Sequence, residues 1–338
     1  MKRTNIGGQA LIEGIMMKGP KKTAVAVRVP DRSIDITYME EKHLRDRFPI
    51  LGWPILRGGV NFVESMLQGY RALMLSADKS GMTDLEEEKA PAEPEASEAT
   101  QDATDAETMP TSEKKENKTL LTVVMIIGGV LGIALSVFLF MYLPALLFDL
   151  TKWATGGVVS EGLRPLFEGV LKIAIFVGYI ALVALTKDIR RVFMYHGAEH
   201  KTIFCFEKGL ELTVENVRKQ KRFHPRCGTS FMILMLIVGI LIGFLIVTIF
   251  PTITKLRVLW VAIKVLLIPI TCGIGYELIR ICGRYDNWLT RAIAAPGMWV
   301  QRLTTKEPED DMIEVAIASL KAVLPEEEAD AFCSRCEE

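Results

Sequence analysis

Four apolar runs, residues 119–142, 166–186, 229–250 and 257–279, dominate the hydrophobic pattern of this chain. Each is close to the roughly 20 helical residues that cross a bilayer core. The third, Thr229 to Phe250, carries no charge; the second holds Glu168 and Lys172 near its start, and the fourth holds Lys264, Pro269 and Glu277. The pattern predicts a mainly α, polytopic membrane protein with four transmembrane helices.

Before the runs the period changes. Residues 1–50 read as a small β-rich region. Gln9 to Met17 forms one apolar stretch ending at the Gly19-Pro20 turn, Thr23 to Val29 is β-branched, and Ser33 to Tyr38 alternates beyond Pro30-Asp31. Together they predict a short antiparallel meander. From Pro54 to about residue 77, apolar positions recur at three and four, giving an amphipathic helix that packs on the meander or lies on the membrane surface. After the fourth run, 280–302 carries Trp288 and Trp299 among arginines and predicts an interfacial helix broken at Pro296-Gly297. A last amphipathic helix covers Asp310 to Leu324, and a Cys333-Ser334-Arg335-Cys336 tail follows.

Charge divides the chain into parts. Residues 1–80 hold the meander and amphipathic helix, 81–118 an acidic linker, 119–280 the spans with the 187–228 loop, and 281–338 the interfacial and terminal helices. Within the linker, 82–117 has almost nothing to bury and is expected to be disordered. Ten lysines and arginines lie in 187–228, whereas 143–165 has only Lys152 and Arg164. This asymmetry places the loop and both termini on the cytoplasmic side. The basic loop is then a candidate surface for anionic lipid or an acidic protein partner, with nucleic acid disfavoured because basic residues beside spans ordinarily set topology. Six cysteines show no secreted framework and are expected to be thiols or metal ligands. No leader is expected, since glycines break the stretch after Asn5.

The chemistry concentrates in the loop. Three of the four histidines fall there, in Tyr195-His196-Gly197-Ala198-Glu199-His200-Lys201 and in His224-Pro225-Arg226-Cys227-Gly228. On a helix, His196, Glu199 and His200 share one face. Two imidazoles at i and i+4 can hold one Zn²⁺, and a Glu between them can act as base toward water. His224 and Cys227 stand just outside the third span, and a fold-back of the loop would bring them to the same place. Glu277, at the cytoplasmic end of the fourth span, is costly there without a partner and is a further candidate ligand, or pairs with Arg280 or Arg226. Glu13, inside an apolar stretch, is either a functional carboxylate or a strand-edge residue facing water. The mixed His, Glu and Cys donors favour Zn²⁺ over Mg²⁺ or Ca²⁺.

Gly7-Gly8-Gln9-Ala10-Leu11-Ile12-Glu13-Gly14, the His196 and His224 motifs, and Pro296-Gly297-Met298-Trp299 together resemble the YqhQ family of bacterial membrane proteins. The resemblance covers nearly the whole chain apart from the acidic linker. It implies a multi-pass protein of the bacterial cytoplasmic membrane and a metal-dependent enzyme. The His-x-x-Glu-His spacing is also similar to that of the inverzincin metallopeptidases, which take a third ligand, a Glu, from a distant helix; Glu277 lies at a comparable distance, while the rest of that soluble fold is absent.

Three readings follow. The first is a zinc hydrolase facing the cytoplasm, with Glu199 as base and His196, His200, His224, Cys227 and Glu277 as the pool of ligands. The second is a non-catalytic scaffold in which a closed structural metal site pins the loop. The third, a transporter, has against it the lack of paired broken helices or an inverted repeat.

Overall fold

The computed structural model describes residues 6–40, 48–53, 56–81, 127–285 and 287–325, with Thr4 and Leu44. His43, the stretch 82–117 and the Cys333–Cys336 tail lie outside them.

A four-stranded antiparallel meander opens the chain: β1 (Gly7–Leu11), β2 (Gly14–Lys18), β3 (Thr23–Arg28) and β4 (Ile34–Met39), paired in sequence order. The expected single strand over 9–17 is two strands. The chain reverses at Ile12-Glu13, with Glu13 at φ 49°, so that Leu11 pairs with Gly14. No Pro, Asn or Asp marks this turn, and Glu13 accepts a left-handed backbone that its side-chain contacts hold in place. β2 and β3 are buried on both faces, which explains why neither alternates polar with apolar. Ile15, Met17, Ala24 and Ala26 face one layer; Leu11, Met16, Val25 and Val27 face the other with Ala72.

That second layer is α1 (Leu56–Lys79), the amphipathic helix. It reaches the sheet through Ala72 and Ser76, whose hydroxyl donates to the Ile12 carbonyl. Its N-terminal half packs on the fourth apolar segment, where a Cβ at Gly58 would lie 2.7 Å from the Gly273 Cα. Sheet packing and bundle packing are therefore both realised.

Among the described residues, three helices are long and apolar enough to cross a membrane, or four if a bent pair counts as one. α2 (Ile127–Ala154) continues twelve residues past the expected stop at Tyr142, because a π-turn over Phe138–Tyr142 absorbs the missing N–H of Pro144. α3 (Arg164–Val183) follows a 3₁₀ turn. α4 (Lys187–Glu207) does not continue α3: Thr186 is extended and restarts the helix. After short α5 (Val214–Arg218) comes α6 (Gly228–Ile249), the all-apolar run. The fourth run divides into α7 (Arg257–Leu266) and α8 (Ile268–Arg284), bent by 41° ahead of Pro269.

α9 (Trp288–Thr304) is unbroken, contrary to the expected break at Pro296-Gly297. Packing overrides the proline: a Cβ at Gly297 would meet Ser230 at 2.5 Å, so α9 lies flush on the start of α6. Finally α10 (Asp310–Val323) covers the remaining sheet face and packs on α4. One core of Ile15, Met17, Tyr195, Ile203, Met312, Ile313 and Leu320 thus joins sheet, α4 and α10, and it holds α4 rigidly beneath the helical bundle.

Candidate metal centre

α4 presents His196, Glu199 and His200 on one face, and α6 begins directly opposite with Cys227 as its N-cap residue. One ligand atom from each of His196, His200 and Cys227 falls within 4.8 Å of the others. His196 Nε2 lies 3.1 Å from Cys227 Sγ, and the two imidazoles meet edge to face at 4.4 Å. Each histidine is oriented from behind. His196 Nδ1 is 2.8 Å from the Thr304 carbonyl and His200 Nδ1 is 2.5 Å from the Arg222 carbonyl. A carbonyl accepts only, so both Nδ1 atoms carry the proton in the neutral tautomer and both Nε2 atoms are left as free donors of an electron pair. This is the support that metal-binding histidines ordinarily have.

The backbone around them is fitted to this arrangement. At Gly197 a Cβ would lie 2.0 Å from the Lys306 carbonyl, so only glycine lets the 304–306 segment approach and deliver Thr304. The helix-propensity loss of a mid-helix glycine, about 1 kcal/mol, is accepted for that contact. Gln301, fully buried, brackets His224: its Oε1 accepts from the His224 N–H and its Nε2 donates to the His224 carbonyl, both at 2.7 Å.

Glu199 completes the face. It is buried, accepts from the Gly8 backbone of β1, and leaves Oε2 without a hydrogen-bond partner among the described residues. Such an atom costs roughly 1–3 kcal/mol or more for a charged group. Burial raises its carboxyl above the usual range, and the two imidazoles offset this only in part. Burial would also lower His196, but the Cys227 sulfur beside it prevails and pushes the imidazole up to about 9. Cys227 is the mirror case. Burial alone would raise the thiol, yet His196 and His200 hold it well below the usual range, and a helix N-terminus favours a thiolate as well.

A family model described as a protein of unknown function (DUF1385) matches residues 53–326, which take in the whole His, His, Cys cluster. The chain belongs to this family. It is 34% identical over 330 residues to the uncharacterized protein YqhQ of Bacillus subtilis (strain 168), covering 94% of this chain and 92% of that one. No solved structure matches the chain. The family model begins after the sheet, yet β1 supplies Gly8 against Glu199, where a Cβ would come within 3.0 Å of the carboxyl.

The other expected site residues sit elsewhere. His224 is buried with its ring 5.6 Å from that of His200, but its Nε2 faces Glu207 at 4.0 Å and Arg226 at 3.4 Å, outside the ligand set. Burial, with His200 and Arg226 adding to it, keeps His224 neutral. Arg226 pairs with the buried Glu207. Both line, with Phe204 and Met298, a cavity of about 310 Å³ that the His224 ring separates from His200. Glu277 is not part of the cluster: it holds Arg57 of α1 in a two-pronged ion pair at 2.6 and 2.7 Å, with Arg280 at 3.7 Å. Glu13 is outside the His196, His200 and Cys227 cluster; it receives Arg191 and the Tyr195 hydroxyl, tying the β1–β2 turn to α4. Sequence reasoning missed Thr304, the Arg222 carbonyl, Gln301 and Gly8, of which three act wholly through backbone atoms.

Proposed function

We propose that the chain is a membrane-bound hydrolase of the bacterial cytoplasmic membrane with a zinc centre at the cytoplasmic face. The convergence of the His196, His200 and Cys227 donors beside an unpaired buried carboxylate carries this reading. Two imidazoles and a thiolate suit Zn²⁺, and three protein ligands leave a fourth position open, as in catalytic and not structural zinc sites. Zinc held there would supply Lewis acidity toward a carbonyl substrate.

The protein groups take the remaining roles. Glu199 Oε2, without a hydrogen-bond partner among the described residues, accepts the proton of the attacking water, and burial raises its affinity for that proton. Thr304 and Arg222 carbonyls fix the imidazoles. The neutral His224 ring separates the centre from the 310 Å³ cavity lined by Arg226 and Phe204. The long apolar helices support a position of this centre beside the bilayer.

The test is the Glu199→Gln variant in lipid nanodiscs, assayed against activated acyl esters and amides. It should retain zinc and lose turnover by about a hundredfold or more. Loss of zinc from this variant would make Glu199 a ligand and overturn its role as base.

A second reading has a specific observation in its favour: Glu199, His200 and Cys227 are each less than a tenth exposed. A site so enclosed suits a structural metal that pins α4 to α6. Lys187, Arg190 and Lys221, which make no ion pair among the described residues, would then serve to bind anionic lipid. Most other cations of this basic segment are already matched, as in Lys201–Glu307 and Arg218–Asp310.

A further inference from the structure

A second polar cluster lies inside the apolar bundle, away from the histidines. Glu168 of α3, 1% exposed, accepts from Trp260 Nε1 at 3.2 Å and from Lys264 Nζ at 2.6 Å, with Arg164 at 3.8 Å. Arg164 is itself matched by Asp149 and Glu161. Lys172, one turn further along α3, makes no hydrogen bond or ion pair among the described residues.

Glu168, Lys172, Trp260 and Lys264 border a cavity of about 340 Å³. Two lysines and one carboxylate line it, and Lys264 already satisfies Glu168. The remaining wall is apolar apart from Trp260 and Thr271 and extends along α3 from Pro165 to Phe176, with Met232, Met235 and Phe62. At 1.5 Å per residue that is roughly 16 Å of slot. A cation within a membrane-spanning segment is costly without a partner and marks a functional site by default. The volume suits a small ligand and falls far short of a two-chain lipid; pockets for small molecules start near 300 Å³.

We propose that this cavity binds a single-chain anionic amphiphile, its head on Lys172 and its acyl chain along the apolar wall of the slot. The Glu168–Lys264–Trp260 network orients the pocket and stays intact on binding. The head is a carboxylate or a phosphate, and the chain does the rest by apolar burial.

The experiment is equilibrium binding of oleate and of dodecyl phosphate to the full chain in nanodiscs of zwitterionic lipid, with empty nanodiscs subtracted. About one saturable site per chain is expected for at least one probe, and which of the two binds tells carboxylate from phosphate. Lys172→Gln should weaken it at least tenfold, about 1.4 kcal/mol, while Lys172→Arg retains it. Methyl oleate should not compete. Because Lys172 makes no hydrogen bond or ion pair among the described residues, both variants should keep the wild-type melting temperature, so a binding loss reports the head contact. Partition indistinguishable from empty nanodiscs, an unchanged Lys172→Gln, or equal competition by methyl oleate would each overturn the proposal.

Discussion

Gln301 holds His224 by both backbone groups, its side-chain amide accepting from the N–H and donating to the carbonyl at 2.7 Å each. A third bond, from Nε2 to Ser230 Oγ at 2.8 Å, ties the same amide to the first turn of α6. One residue of α9 therefore fixes the segment that delivers Cys227. Gln301→Leu keeps the volume, strands the buried His224 N–H and leaves its carbonyl with only the long 3.4 Å bond from the Cys227 N–H. It should cost about 2–4 kcal/mol and lower zinc affinity by roughly 10–100-fold, read by thermal melts and competitive chelation. Wild-type affinity in a folded variant would show that the bracket does not position the centre.

Gly197→Ala forces a Cβ against the Lys306 carbonyl. Overpacking of this kind costs about 1–3 kcal/mol, more than the helix-propensity gain of about 1 kcal/mol. The displaced segment carries Thr304, so zinc affinity should fall together with stability. A variant more stable than wild type would refute the close approach.

Glu277→Gln separates the two roles open to that residue. Its partner Arg57 and the carboxylate are each about a quarter exposed, so the pair contributes only about 1 kcal/mol after solvent screening. The variant should melt slightly lower with its zinc content unchanged. A loss of zinc would return Glu277 to the ligand set.

The metal-free protein should show a pH-dependent link between α4 and α6. His196 is raised to about 9, so its contribution is complete below the ordinary histidine range and disappears as pH rises through about 9. Cys227 is lowered, so its contribution is present above the ordinary thiol range and is lost only as pH falls through the depressed value. The difference in melting temperature between wild type and Cys227→Ser, both stripped of metal, should therefore be largest near neutral to mildly basic pH and shrink on either side. A difference flat with pH would exclude the imidazolium–thiolate pair.

Much of this site was legible because helical spacing is local. His196, Glu199 and His200 share a face by arithmetic alone, and Cys227 is placed opposite because the spans on either side of the loop return to one level. His224 and Glu277 were misplaced for a common reason: a buried polar group needs a partner, and the sequence pattern does not say which. Arg226 faces both ring nitrogens of His224, and Arg57, 220 residues away, holds Glu277. The β1–β2 turn was illegible because Glu13 adopts a glycine-like backbone under tertiary restraint from Arg191 and Tyr195. α9 stayed whole through Pro296 because the Gly297–Ser230 contact outweighs one lost hydrogen bond. The carbonyls of Thr304 and Arg222 have no side-chain signature at all.

The central claim is that His196, His200 and Cys227 form a metal centre, and metal content of the detergent-purified chain tests it most directly. Elemental analysis should find about one zinc per chain after purification without chelators, and none in a folded His196→Ala/His200→Ala variant of equal yield. Wild-type protein without stoichiometric metal, or a double variant that keeps it, would contradict the account.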